Sequence, residues 1–182
     1  NKSKSDPSDP VLTTQGVGWV TRKAIGVATI TLNVKQYTDA SGITHIDIDQ
    51  TATGGISGTS EKRELNWEAS SHSDHVFGKL EGRSRWINAD AISQPLPDYE
   101  VTEKEASFLS QGWIEDDSEN GGPNGERHID SFVRNKDKKW TARQIWGFQM
   151  IDGERRYVRK VVVKEIGGSK EHYVTLIYDW IS

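Results

Sequence analysis

The sequence predicts a mainly β protein, folded as a single antiparallel up-and-down β-barrel with short helical lid segments. Three observations carry that expectation. Most of the chain after residue 29 alternates apolar and polar side chains with the period of two that half-buried strands require. The segments are joined by tight-turn residues such as Asp152-Gly153 and Gly167-Gly168. About eight such strands in sequence can close on themselves and remove exposed sheet edges.

The elements follow in order. Residues 1–8 are small, charged or proline and are expected as a disordered or extended tail, leaving residues 9–182 as the barrel domain. Asp9-Pro10 supplies an N-cap and a proline at the first helical position, so a helix runs over 10–24, broken into two pieces by Gly16 and Gly18. Strands are expected over 29–37 and 44–51, with Asp39-Ala40-Ser41-Gly42 as their turn. Others follow at 61–68, 75–87, 127–135, 139–151, 155–165 and 171–181. Thr102 with Glu105 forms a capping box before Ala106, Phe108 and Leu109, predicting a second helix over 103–111. Residues 116–125 are acidic and rich in Gly and Asn, which predicts a mobile loop.

Composition removes several classes of function. The chain of 182 residues holds 23 Lys and Arg against 27 Asp and Glu, a formal charge of -4, and so lacks the basic face that phosphate backbones demand; nucleic acid is not an expected partner. It has no cysteine, hence no disulfide, thiolate nucleophile or cysteine-based zinc site. No apolar run approaches the roughly 20 residues of a membrane helix, and a cytoplasmic location is expected. Oligomeric state is left open. No Gly-rich phosphate loop, nucleophile elbow or HExxH motif occurs, and no cofactor is expected.

The run Gly16-Val17-Gly18-Trp19-Val20-Thr21-Arg22-Lys23-Ala24-Ile25-Gly26 resembles the second helix of intracellular fatty-acid-binding proteins, which carry a similar Gly-Val-Gly-aromatic and Thr-Arg-Lys pattern. The resemblance implies a calycin, lipocalin-like barrel with an internal cavity, a helical portal near residues 16–24 and a lipophilic ligand. It also implies a headgroup site in the last strand, where that family places an Arg-x-Tyr pair. The matching positions are Leu176 and Tyr178, so the tyrosine is kept and the arginine lost. The segment over 93–125 is additional to the family's pattern.

Strand parity nominates an inner wall. On 139–151 one face reads Trp140, Ala142, Gln144, Trp146, Phe148 and Met150, one polar group among apolar ones, as a ligand cavity requires. The alternative is a small barrel filled by its own side chains. In the last strand His172, Val174, Leu176, Tyr178 and Trp180 share the expected inner face. Arg159, two residues after Tyr157, is positioned to replace the missing arginine if its face points inward, or else is solvated. The candidate ligand-binding set is therefore Trp19, Gln144, Trp146, Phe148, Arg159, Tyr178 and Trp180.

His45, Asp47 and Asp49, and again His128 and Asp130, alternate on strand faces in a way that suits a metal, but buried Ile46 and Ile48 opposite them would make these the solvent side; no metal is expected. His72 and His75 flank a Ser-Asp turn. Two functions fit the whole. One is a carrier for a hydrophobic small molecule. The alternative is a cofactor-independent cyclase or isomerase, of the pericyclase type found in secondary metabolism, acting on a hydrophobic substrate in the same cavity.

Overall fold

The computed structural model describes residues 1–55, 57–115 and 121–181. Among them the chain forms helices α1 (Asp9–Thr14), α2 (Trp19–Val27) and α3 (Glu103–Ser110). The strands are β1 (Ile30–Thr38), β2 (Thr44–Ala52), β3 (Thr59–Glu64), β4 (Ser70–Asp74), β5 (Gly78–Ile87), β6 (His128–Asn135), β7 (Trp140–Ile151), β8 (Glu154–Glu165) and β9 (Glu171–Tyr178). The protein is mainly β with few helices, as the alternation predicts. Of the acidic loop expected over 116–125, residues 116–120 lie outside the described residues. No helix among the described residues is long and apolar enough to cross a membrane.

The local chemistry explains the hairpins. Asp152 and Gly153 both have positive φ, 52° and 77°, the pair of left-handed conformations that a two-residue turn between twisted strands demands, and Ile151 pairs with Glu154 across it. Asp39 Oδ1 accepts from the backbone N–H of Ser41 and Ile43, which holds the β1–β2 turn. Thr102 Oγ1 accepts from Glu105 N–H at 3.2 Å, capping α3.

The strands pair antiparallel in two sheets, β1-β2-β3 and β4-β5-β6-β7-β8-β9, and no pairing among the described residues joins the two into a closed barrel. This departs from the single barrel expected above, and both seams have a physical cause. After β3 the chain turns sharply at Trp67, where φ is 62°, and the Trp67 N–H bonds to Ser84 O of β5. A separate strand, β4, then forms on the β5 edge, in residues expected as the connection between strands over 61–68 and 75–87, so His72 lies on a strand and not beside a turn. At the other seam Asn1, Ser5 and Asp6 take up the free edge of β9. Asp6 N–H donates to Thr175 O at 3.0 Å, Asp6 Oδ2 accepts from Thr175 N–H at 2.7 Å, and Ser5 Oγ accepts from Ile177 N–H at 2.8 Å. That edge is not open to β1.

Each face of the six-stranded sheet is covered. On the inner face Val133, Trp140, Ala142, Val161 and Val174 pack with Val11 of α1, and Trp140 Nε1 donates to Gln15 O at 3.1 Å. Further along the same face Ile129 and Trp146 pack with Ile46 and Ile48, joining the three-stranded sheet. On the outer face Ile87, Ile145 and Val162 pack with Ile92 and Leu109 from the segment between β5 and β6. That segment comes close at Gly147, where a Cβ would lie 2.7 Å from His128 Nδ1 and 3.0 Å from the Trp113 ring, so only glycine fits.

Covering the outer face changes the reading of two polar residues. His128 and Asp130 are buried, against their expected place on a solvent side. His128 Nε2 meets Glu115 Oε1 at 2.7 Å, and Asp130 takes two bonds from Arg143, to Oδ1 and Oδ2, both at 3.1 Å. His45, on β2, bonds Asp39 at 2.8 Å and stacks on Tyr37. No group of three or more metal-capable side chains gathers among the described residues.

Candidate functional site

A cleft of about 1010 Å³ lies between α1 and α2, the end of the three-stranded sheet, and the inner face of the six-stranded one. Its walls differ along its length. Toward α1 they are apolar: Leu80, Val133, Ala142, Val161, Val174 and Leu176. Toward β3 they are polar, with Glu61, Arg63, Gln144, Arg159 and Tyr178. An apolar hollow with a few convergent polar groups is the usual form of a small-molecule site.

The polar end is built around Trp146, which is 2% exposed and stands behind the cleft wall. Its Nε1 donates to Gln144 Oε1 at 2.9 Å. Two guanidiniums lie over its ring, Arg63 at 5.2 Å and Arg159 at 4.0 Å from Cζ to centroid, distances at which cation–π attraction acts. The cross-strand register explains the grouping. Trp146 is paired with Arg159, and Tyr157 with Tyr178, so residues of one parity on β7, β8 and β9 converge on the inner face.

The two guanidiniums are used differently. Arg63 Nε and Nη2 meet Glu61 Oε2, the latter at 2.6 Å, and Nη1 donates to Ser131 Oγ at 2.9 Å, so this arginine ties β3 to β6. Arg159 is 6% exposed and, among the described residues, makes one protein hydrogen bond, from Nε to Tyr157 Oη at 3.0 Å. Its Nη2 is buried and has no partner among the described residues.

The protonation states follow from the surroundings. Burial works to raise the Glu61 carboxyl, but Arg63 and then Arg159 outweigh it and bring it below the usual carboxylate range, so it is ionised. Burial pushes the Tyr157 hydroxyl up, and it stays protonated. Two fixed positive charges thus face one carboxylate.

Of the candidate residues named from sequence, Gln144, Arg159 and Tyr178 line the cleft and Trp146 supports them from behind. Phe148 lies further along β7, outside the lining, with its ring 5.9 Å from Tyr157 and the Arg155 guanidinium 3.5 Å above it. Trp19 and Trp180 are not brought in: they are 64% and 91% exposed. Trp19 opens α2, a helix with no buried residue, and Trp180 comes after β9 ends at Tyr178, where strand parity no longer sets its direction. Glu61 and Arg63 were not among the candidates. On β3 polar residues stand on both faces, and the signal was Leu65, of the same parity, which packs against the Ile46 and Ile48 cluster.

No family model matches the chain, and no solved structure matches it. Two curated proteins do. One is described as the probable pericyclase scpY of Mollisia scopiformis, 29% identical over 177 residues that make up 97% of this chain and 83% of that protein. The other is described as the pericyclase pydY of an Acremonium species, 29% identical over 177 residues, 97% of this chain and 85% of that protein. The similarity thus runs through both sheets and the cleft between them.

Proposed function

We propose that this chain is a pericyclase: it holds a hydrophobic, unsaturated substrate in the cleft near its ring-forming geometry, and Arg159 meets the charge that builds on a polar atom of that substrate. The observation that carries the reading is the buried guanidinium, its Nη2 without a partner among the described residues, on the wall of a largely apolar cleft. Such a group is costly unless something engages it, and fixed positive charge in a poorly solvated site is the usual means of lowering a barrier without moving a proton. Holding the reacting ends together supplies the rest. The similarity to two pericyclases favours an enzyme over the carrier reading.

An intramolecular pericyclic step neither adds nor removes atoms, which sets the test. Extracts of the source organism with this gene deleted should accumulate an isomer of the same mass with fewer rings and correspondingly more double bonds. Purified protein added to that extract should restore the ringed product, and Arg159→Leu should do so about 100- to 1000-fold more slowly, the usual loss for one transition-state donor. A carrier would return its ligand chemically unchanged. Absence of any isomer pair, or an undiminished rate with Arg159→Leu, would remove the proposal.

A further inference from the structure

We infer that Tyr157 is a positioning residue: its neutral phenol fixes the direction in which the Arg159 guanidinium meets the cleft, without cancelling the charge that the guanidinium carries. The inference rests on the pericyclase reading and names the residue through which Arg159 is held ready.

Arg159 is supported on two sides. Its Cζ lies 4.0 Å from the centroid of the Trp146 ring, a contact that draws the cation to the ring face but lets it turn there. A hydrogen bond at one edge removes that freedom. Arg159 Nε donates to Tyr157 Oη at 3.0 Å, which commits one edge of the planar fork, and Arg159 makes no other hydrogen bond among the described residues. Arg159 lines the cleft and Tyr157 does not, so the phenol acts through the arginine.

The phenol can hold the fork because it is itself held. Tyr157 and Arg159 stand two apart on β8 and share a face. Tyr157 is paired with Phe148 on β7 and with Tyr178 on β9, and the two ring centroids lie 5.9 and 5.5 Å from its own.

The kind of anchor matters. Arg63 is fastened by Glu61 and Arg143 by Asp130, and a carboxylate fixes a guanidinium and neutralises it at once. A phenol accepts the same bond uncharged, since in water it ionises only at about pH 10. Burial outweighs the pull of Arg159 and raises the Tyr157 hydroxyl further, so it stays neutral. A charge fixed in place and left uncancelled needs no reorganisation when charge builds on the substrate.

Tyr157→Phe deletes the oxygen and keeps the ring. With the isomer from the gene-deleted strain as substrate, it should lower kcat about 10- to 100-fold and leave KM within about twofold, because the apolar walls still hold the substrate. Nuclear magnetic resonance of the arginine Nε–H groups separates positioning from a general loss of structure. The Arg159 signal, assigned by its absence in Arg159→Leu, should exchange with water about tenfold faster in Tyr157→Phe, as one lost hydrogen bond implies. The Arg63 signal, whose Nε–H is bonded to Glu61 at the same end of the cleft, should not change. Arg159→Lys keeps a charge but has no fork to direct, so adding Tyr157→Phe to it should cost no further rate. A wild-type Arg159 Nε–H that exchanges as fast as free arginine would overturn the inference, and that measurement stands even if Tyr157→Phe does not fold. So would a folded Tyr157→Phe with wild-type kcat, a change in KM alone, a further loss of rate in the double variant, or equal changes in both arginine signals. A protein whose Arg159 is released by Tyr157→Phe but which closes no ring loses the pericyclase reading and keeps the anchor; one that closes rings equally fast without the phenol oxygen does the reverse.

Discussion

The central arginines on the two faces of the six-stranded sheet, Arg143 outside and Arg159 inside, are satisfied unequally, while His128 Nδ1, Arg134 Nε and Arg156 Nε on the outer face also lack a partner among the described residues. On the outer face Arg143, fully buried, gives two bonds to Asp130 and a third to Ile92 O at 2.9 Å. Arg85 adds a bond to the same aspartate at 3.1 Å. Glu105, also fully buried, is held by Lys164 and by the Tyr99 hydroxyl at 2.9 Å. On the inner face Arg63 is served as completely by Glu61 and Ser131, but Arg159 is left with one phenol. Buried charge alone therefore does not single out Arg159; an unmatched terminal nitrogen on a residue that lines the cleft does. The outer network fastens the segment between β5 and β6 to the sheet, and the inner one borders the cleft.

Four substitutions break or sharpen that contrast. Asp130→Ala strips the acceptor from two arginines on the outer face and should cost about 3–5 kcal/mol in urea unfolding, the usual penalty for leaving a buried charge uncompensated. Tyr99→Phe removes a bond to the buried Glu105 carboxylate and should cost about 1.5–3 kcal/mol at neutral pH. Burial and then the Glu105 charge raise the Tyr99 hydroxyl above its ordinary value, so the folded protein keeps a proton that the unfolded chain gives up near pH 10. Stability from this group is complete below that pH and is lost as pH climbs past it, and the gap between wild type and Tyr99→Phe should close in alkali. Thr102→Ala uncaps α3 and should cost about 1 kcal/mol by thermal unfolding. Arg159→Leu has the smallest expected effect on stability. Its unfolding free energy should stay level or rise, since the group removed is an unsatisfied one; a large loss would place Arg159 with the outer-face arginines, as structure.

The sequence carried the elements better than their closure. Alternation located β1, β2 and β6 to β9, and the inner parity of Gln144, Trp146 and Tyr178, because one apolar face suffices to show which way a strand looks. Ser70–Asp74 reads Ser-Ser-His-Ser-Asp, with no apolar residue to alternate, so β4 was invisible and the seam beside it with it. Arg143 and Asp130 sat on faces that a period of two assigns to water. They are buried because a segment some forty residues upstream of Arg143 folds over them, and local periodicity cannot register a cover supplied from so far along the chain. Arg159 was legible only as one of two outcomes, lining a cavity or solvated, since its role depends on the register between β7 and β8.

The short segment laid against β9 has a consequence for how the molecule behaves in company. A bare outer strand offers its unused N–H and C=O groups to any other extended chain and invites self-association. Here Ser5 and Asp6 occupy those groups at Thr175 and Ile177 with backbone and side-chain atoms of their own. Asp6 puts a carboxylate on that rim, a charge that a second sheet would have to bury. Displacing these residues uncovers a sticky border, and the protein would be expected to associate before it loses its fold.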